Sequence, residues 1–222
     1  MSDITPNNLP DALAGVAALQ PLYTSFSTPE MQYRGKLIRR VIPNLITQAI
    51  EARQVILPTA LAPLKISASD GISAKAEIPW VRLYLASLSP RATVGRYLVY
   101  LFENQGKTVW LSLSTGAMQL EKGRYIPRPS EQLAQTVHWA KEHLRDQGVE
   151  LNGYPHRLEL GRVRSQLGRT YIKSSILAMR YSADALPGEA KLETDLTQFL
   201  QFLEILYAAE VEARGRISRP RG

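Results

Sequence analysis

Two apolar segments that both have the pattern of β-strands constrain the fold of this chain most. Residues 78–85 carry Trp80 near their start, and residues 96–102 carry Tyr97. Residues two or four positions apart on a strand lie on the same face of a sheet, so Tyr97 and Leu101 share a face. If the two strands pair, Trp80 lies over that face. The pattern predicts a sheet with two aromatic rings facing a common space.

Such a surface has two explanations. Two aromatic rings and an aliphatic side chain can hold a nucleobase that has been flipped out of a duplex. Trp80, Tyr97 and Leu101 would then form the pocket for that base. The same residues are more commonly ordinary sheet core, and the strand pattern alone leaves both explanations open.

The remaining segments predict an α+β fold, a mostly antiparallel sheet of about five strands packed by N- and C-terminal helices. The predicted strands span residues 64–68, 78–85, 96–102, 108–113 and 171–181. The predicted helices span residues 9–26, 29–53, 130–146 and 189–214, with a possible kink at Pro43. We expect an N-terminal helical extension over residues 1–28, one domain over 29–214 and a linker-like basic tail over 215–222. Such an end is typical of an excised domain or of a small stand-alone protein.

Composition narrows the class of protein. A chain of 222 residues favours one well-packed domain. Because it has no cysteine, it can form neither a disulfide nor a thiolate metal site. The first ten residues lack the pattern of a signal peptide, and no apolar run approaches the roughly 20 residues that span a bilayer. We therefore expect a soluble cytoplasmic protein with no membrane partner.

Charge is unevenly distributed along a chain whose net charge is +7. Between residues 154 and 181, Glu159 alone stands against the basic residues Arg157, Arg162, Arg164, Arg169, Lys173 and Arg180. Between residues 189 and 212, Lys191 alone stands against the acidic residues Glu189, Glu193, Asp195, Glu204, Glu210 and Glu212. A basic surface opposite an acidic helix is typical of phosphate binding in a defined orientation, although a solvated loop that binds nothing has the same composition.

The loop of residues 69–75 is the second candidate for function. It is small and polar, and Gly71 allows its backbone to approach a phosphate chain closely. Ile72 is an apolar residue in this polar setting, and proteins that unstack DNA insert such wedges. We expect Gly71, Ile72, Ser73 and Lys75 to form a DNA-contacting loop; the alternative is that Ile72 belongs to the core.

Three other motifs are weaker indications of a functional site. Gly106-Lys107-Thr108 lacks the upstream glycine of a phosphate-binding loop and joins two strands, so it predicts a turn. Glu189 and Lys191 with Asp184 could form part of a metal-dependent nuclease site, but Pro187-Gly188 indicate a helix start there. His138 and His143 lie five apart, which does not bring them onto one helical face. We expect no cofactor, no metal and no enzymatic activity.

Residues 64–114 resemble the N-terminal DNA-binding domain of McrB, the specificity subunit of methylcytosine-dependent restriction systems. The most specific parts are Ile-Pro-Trp at 78–80, Gly71, and Gly-x-Tyr-x-Val-x-Leu at 95–101. The resemblance extends at the level of pattern from about Met31 to about Ala209. In the family, the position that matches Ile72 fills the space left by the extruded base, and it is aromatic in the best-known member.

The resemblance implies double-stranded DNA binding with recognition of 5-methylcytosine or a related modified cytosine by base flipping, in an anti-phage restriction system. Arg162, Arg164 and Arg169 are the first candidates for phosphate contacts, with Lys75 and Arg96 flanking the pocket. A GTP-hydrolysing AAA+ module and a nuclease subunit are the partners that the family implies. The alternatives are a protein-interaction module of a defence complex without base readout, and a cryptic nuclease.

Overall fold

A five-stranded antiparallel sheet in the order β1-β2-β3-β4-β7 forms the centre of the computed structural model, which describes residues 5–155 and 157–217. This arrangement confirms the predicted α+β fold. The strands of the sheet are β1 (Lys65–Ser69), β2 (Trp80–Tyr84), β3 (Arg96–Phe102), β4 (Thr108–Thr115) and β7 (Ser175–Ser182). A separate hairpin consists of β5 (Met118–Glu121) and β6 (Arg124–Pro127).

Helices surround this sheet, and side-chain caps fix where several of them begin. The α-helices are α1 (Leu9–Leu19), α2 (Pro29–Lys36), α3 (Ile42–Glu51), α4 (Ser130–Asp146), α5 (Gln166–Ser174) and α6 (Glu189–Ile217). Asn8 caps α1 by accepting a hydrogen bond from the backbone N–H of Asp11, and Thr28 caps α2 in the same way from Met31. These caps satisfy N–H groups that the first turn leaves unpaired. Short 3₁₀ turns occupy Gln20–Leu22, Thr59–Leu61 and Ala183–Ala185.

Pro43 does not end the second predicted helix. The turn before it, Leu37–Val41, is a π-helix that connects α2 to α3. Proline lacks the N–H that an α-helix needs in its interior, and π-turns are the usual form in which a helix absorbs such an irregularity. The helical segment therefore runs from Pro29 to Glu51, close to its predicted bounds.

Both faces of the sheet are covered. The larger core lies on one face, where apolar residues of β2, β3 and β4 pack with α1, α3 and α6. All seven residues of the predicted α6 stripe are buried: Leu192, Leu196, Phe199, Leu200, Leu203, Leu206 and Tyr207. Each such side chain contributes about 1.5–3 kcal/mol through burial. Since α1 packs into the same core, the N-terminal extension is continuous with the sheet domain.

A second, smaller core covers the opposite face. It contains Tyr97, Val99 and Leu101 of β3 together with Trp110 and Ala178. Leu158 and Leu160, from the loop that leads to α5, cover these residues. The face that the sequence singled out is therefore partly closed by the basic segment of the chain.

Two elements differ from the sequence-based prediction. The strand predicted over residues 171–181 begins only at Ser175, because residues 166–174 form α5. Its N-cap is Ser165, whose hydroxyl accepts a hydrogen bond from the N–H of Gly168 at 3.2 Å. The hairpin of β5 and β6 was not predicted. Of the predicted tail, residues 218–222 lie outside the described residues, whereas α6 extends to Ile217.

The turn predicted at Gly106 is confirmed. The N–H of Gly106 donates to the carbonyl of Glu103 at 2.9 Å, and its φ is +71°. Within the described part of the chain, none of the helices has the length and apolar character needed to cross a membrane.

Candidate functional site

A cleft of about 860 Å³ opens on the sheet face that carries Trp80 and Tyr97. Five segments distant in sequence converge on it: residues 23–25, the β1–β2 loop, residues 92–93, the start of β5, and residues 164–171. Sites that hold small organic ligands commonly have roughly 300–1,000 Å³. The cleft is thus large enough to hold a nucleobase.

Two residues of the predicted pocket, Trp80 and Tyr97, lie at the floor of this cleft, and the third, Leu101, lies beside them in a small recess. Trp80 pairs with Leu101 across β2 and β3, and Tyr97 lies on the same face of β3. They line a recess of about 10 Å³, which is about the space of one water molecule. Tyr97 and Leu101 are 4% and 1% exposed. The recess can therefore take a small substituent but not a base ring.

Tyr171 is a wall of the recess that sequence reasoning missed, because its segment was predicted to be a strand. It projects from α5 and lines both the recess and the cleft. The indole N–H of Trp80 hydrogen-bonds to its hydroxyl. Burial raises the pKa of Tyr171, and burial raises the pKa of Tyr97 to about 12 although nearby Arg82 opposes this. Both phenols are therefore neutral near pH 7.

Arg82 is a second residue of the recess that the sequence reasoning did not single out. It lies between Trp80 and Tyr84 on the same face of β2 and is 4% exposed. Its guanidinium carbon lies 3.6 Å from the ring centroid of Tyr84 and 5.4 Å from that of Tyr97. The signal in the sequence was a charged residue inside an otherwise apolar strand.

The β1–β2 loop holds Ile72 at the rim of the cleft. The side chain of Ile72 is fully exposed, at 102%, so it is not part of the core. Gly71 before it has φ +106°, and a Cβ at that position would lie 1.9 Å from the carbonyl oxygen of Ala74. Only glycine fits such a turn without strain.

The base of this loop is fixed by a buried carboxylate. Asp70, which is fully buried, forms ion pairs with Arg39 and with Lys75, the latter at 2.8 Å. Burial lowers the pKa of Lys75, and the neighbouring charges of Arg39 and Arg34 lower it further. Lys75 lines the cleft, and it shares the single negative charge of Asp70 with Arg39. Ser73, beside Ile72, is exposed.

Three exposed arginines form a basic rim: Arg162 and Arg164 lie in the loop before α5, and Arg169 lies near the start of α5. Arg164 lines the cleft, and the guanidinium of Arg169 donates to the carbonyl of Arg164 at 2.6 Å. Among the described residues, no carboxylate forms an ion pair with any of these three. Their charges therefore remain available to an anion.

Glu77 anchors the backbone of this basic loop. Its carboxylate accepts hydrogen bonds from the backbone N–H groups of Arg164 and Ser165 at 3.0–3.1 Å. Burial raises the pKa of Glu77, but these hydrogen bonds outweigh burial and hold the pKa below its ordinary value. The side-chain amide of Asn104 secures the loop further by donating to the carbonyl of Arg162 at 3.0 Å.

Arg96 does not flank the cleft. Its guanidinium forms an ion pair with Glu210 of α6 and lies 4.7 Å from the ring of Trp139. Because successive residues of a strand point to opposite faces, Arg96 and its neighbour Tyr97 cannot serve the same surface. The structure thus corrects the placement of Arg96 beside the pocket.

The β5–β6 hairpin adds a rim that was not expected. Ala117 and Met118 at its start line the cleft. Lys122 in its turn and Arg124 at the start of β6 are exposed. These two residues are further candidates for phosphate contacts. In the described part of the chain, no cluster of metal-ligating side chains accompanies the cleft.

These features define an α+β domain with an aromatic-floored cleft between an exposed apolar loop tip and a basic rim. The chain belongs to the MrcB-like, N-terminal domain family, whose sequence model matches residues 23–208. Membership supports a DNA-binding role in a restriction system of the McrBC type. No curated protein and no solved structure matches the chain.

Proposed function

We propose that this chain binds double-stranded DNA and reads 5-methylcytosine or a related modified cytosine, which it flips into the cleft. The observation that carries the proposal is the position of the aromatic residues Trp80, Tyr97 and Tyr171 at the floor of the cleft, between exposed Ile72 and exposed Arg164. An extruded base needs a stacking surface, a replacement in the helix and nearby phosphate contacts. This single cleft offers a candidate for each.

The sizes of the two cavities suggest how a base would be held. The ring would lie in the cleft against Trp80 and Tyr171, while a substituent at its 5-position would enter the recess beside Leu101. Aromatic stacking is worth about 1–3 kcal/mol per base, and a buried methyl group adds about 0.8 kcal/mol. Extrusion costs a few kcal/mol, so phosphate contacts supply most of the affinity.

The chain would act as the recognition part of a modification-dependent restriction system in the cytoplasm. We propose that it has no catalytic activity of its own and that a GTP-hydrolysing AAA+ module and a nuclease subunit act on the DNA that it marks. Family membership supports the recognition role.

The test compares two duplexes that differ only in one 5-methylcytosine. Fluorescence anisotropy at fixed salt measures affinity, and a fluorescent cytosine analogue at the same position reports unstacking. We expect the methylated duplex to bind several-fold more tightly, and the analogue to brighten on binding. Equal affinity for the two duplexes with no change in fluorescence would reject base readout and favour an interaction module.

A further inference from the structure

The guanidinium of Arg82 is held in the recess with an unused hydrogen-bond donor. Arg82 is 4% exposed, and its Nε donates to the hydroxyl of Ser67 at 3.4 Å. Its Nη1 is buried and has no hydrogen-bond partner among the described residues. None of the ion pairs of the described residues includes Arg82.

Such an arrangement is costly for a fold that needs only packing. A buried donor without an acceptor loses its hydration without compensation, and the loss is larger for a charged group. The described residues include eight buried side-chain polar atoms without a hydrogen-bond partner, and each calls for an explanation. Among them, only Nη1 of Arg82 belongs to a residue that lines the recess. The rings of Tyr84 and Tyr97 stabilise the charge of Arg82 through their faces, but a ring face leaves the in-plane N–H groups free.

The recess is a space in which this donor could hydrogen-bond to a ligand atom. Arg82 lines it together with Trp80, Leu101 and Tyr171, and the space has the size of about one water molecule. An oxygen atom carried on the 5-substituent of a pyrimidine has the size of that water and can accept a hydrogen bond. A methyl group fills the same space but leaves the donor unpaired.

We propose that Arg82 is a specificity-determining residue, which makes the recess favour a flipped cytosine whose 5-substituent carries an acceptor oxygen over one that carries a plain methyl group. The inference rests on the proposed function, since it needs a flipped base in the cleft. The shared chemistry is the acceptor oxygen, which a neutral hydroxymethyl group and an anionic carboxyl group both supply. The small size of the recess favours hydroxymethyl, whereas the charge of Arg82 favours carboxyl.

The experiment measures affinities for four duplexes that carry cytosine, 5-methylcytosine, 5-hydroxymethylcytosine or 5-carboxylcytosine at one position. We expect the wild-type chain to bind at least one oxygen-bearing duplex about tenfold or more tightly than the methylated one, the ratio that one hydrogen bond from a charged donor gives. Comparison of the last two duplexes distinguishes the neutral from the anionic acceptor.

Arg82→Met keeps an unbranched apolar side chain in β2 but removes the guanidinium that faces Tyr84 and with it the donor. The ratio of affinities for the oxygen-bearing and the methylated duplex should therefore fall towards one. Arg82→Lys keeps a charged donor and should retain part of the preference. Arg180→Met, on an exposed position of β7, is the matched control and should keep the wild-type ratio. Circular dichroism and thermal melting establish whether each variant is folded. If Arg82→Met does not fold, the affinity ratio of Arg82→Lys provides the test instead.

The outcomes separate the two proposals. A wild-type chain that prefers modified duplexes but binds the methylated one as tightly as both oxygen-bearing ones overturns the role of Arg82 alone. So does a preference that folded Arg82→Met retains in full. A wild-type chain that does not distinguish any modified duplex from the unmodified one overturns base readout itself, and the role of Arg82 with it.

Discussion

The carboxylate of Glu77 accepts hydrogen bonds from the backbone N–H of Arg164, at 3.0 Å and 3.1 Å to its two oxygens. The two residues are 87 positions apart in the chain. Glu77 lies three residues before Trp80, and Arg164 lies on the basic rim of the cleft. One buried carboxylate thus connects the segment before β2 to the loop that leads to α5.

The first prediction concerns the stability that this connection provides. Glu77→Gln removes the negative charge and one of the two acceptor oxygens. Hydrogen bonds to charged groups contribute about 1.5–3 kcal/mol, so we expect the free energy of unfolding to fall by about that amount in urea titrations. Glu51→Gln, on an exposed position of α3, is the control and should change it by less than about 0.5 kcal/mol.

The same substitution changes the response to acid. The pKa of Glu77 in the folded chain lies below its ordinary value of 4.5. The stability that the ionised Glu77 carboxylate provides is therefore present in full above the ordinary value, and it is lost as the pH falls through the folded pKa. The wild-type melting temperature should fall faster than that of Glu77→Gln from about pH 5 downward. Parallel curves for the two proteins would show that Glu77 titrates alike in the folded and unfolded chains.

The alternation of side chains along strands explains which site residues could be placed from the sequence. Trp80, Tyr97 and Leu101 lie on one face as expected, because spacing of two along a strand is a strict geometric rule. The same rule, applied to Arg96, would have excluded it from the face of Tyr97. Its basic character suggested a phosphate contact, but its position directs it to Glu210.

The residues that the sequence could not place come from tertiary contacts. The segment of residues 166–174 contains β-branched and aromatic residues that favour a strand, yet the cap at Ser165 starts α5 and directs Tyr171 into the recess. Arg82 lies in a strand whose two faces are both covered, so alternation of apolar and polar residues is weak there. Only packing of the loop before α5 onto the sheet makes both residues part of a site.

The second prediction concerns the stacking surface. Trp80→Ala should remove most of the preference for a modified duplex while salt-sensitive binding remains, because stacking on one ring is worth about 1–3 kcal/mol and the phosphate contacts lie elsewhere. Anisotropy titrations of methylated and unmethylated duplexes measure the ratio. Trp139→Ala, a half-exposed tryptophan of α4 outside the cleft, should leave it unchanged. A folded Trp80→Ala that keeps the full ratio would remove Trp80 from the pocket.

The third prediction concerns the basic rim. Replacing Arg162, Arg164 and Arg169 together with alanine should weaken modified and unmodified duplexes alike, because phosphate contacts carry no base information. The slope of log affinity against log salt should flatten by about one unit for each phosphate that the chain no longer neutralises. An unchanged slope would place the DNA on another surface, with Lys122 and Arg124 of the hairpin as the next candidates.

A second triple variant separates a local effect from one of net charge. It replaces three exposed arginines that lie outside the cleft: Arg40, Arg53 and Arg145. Replacing them removes the same formal charge from the chain. We expect it to keep most of the salt slope, whereas an equal flattening in both triple variants would mean that net charge alone drives binding.

The fourth prediction concerns the loop that presents Ile72. Gly71→Ala introduces a Cβ that would lie 1.9 Å from the carbonyl oxygen of Ala74, at a φ of +106°. Backbone strain of this kind costs about 1–3 kcal/mol, and its relief would displace the loop. We expect a lower melting temperature and weaker DNA binding, while Gly153→Ala, where a Cβ meets no atom within 4 Å, should change neither.

The last prediction concerns Ile72 itself. Its side chain is fully exposed and lines the cleft that holds Trp80 at its floor, so Ile72→Ala should lower the free energy of unfolding by less than about 0.5 kcal/mol. Ile46, which is fully buried, provides the contrast, since Ile46→Ala should cost about 2–5 kcal/mol. If Ile72 fills the space that the extruded base leaves, Ile72→Ala should weaken binding of the methylated duplex and reduce the fluorescence change of the cytosine analogue. Ile72→Phe should then restore both, because a larger apolar side chain fills the same gap. A variant of unchanged stability that binds and unstacks DNA like the wild-type chain would show that the exposed side chain at this loop tip is not a wedge.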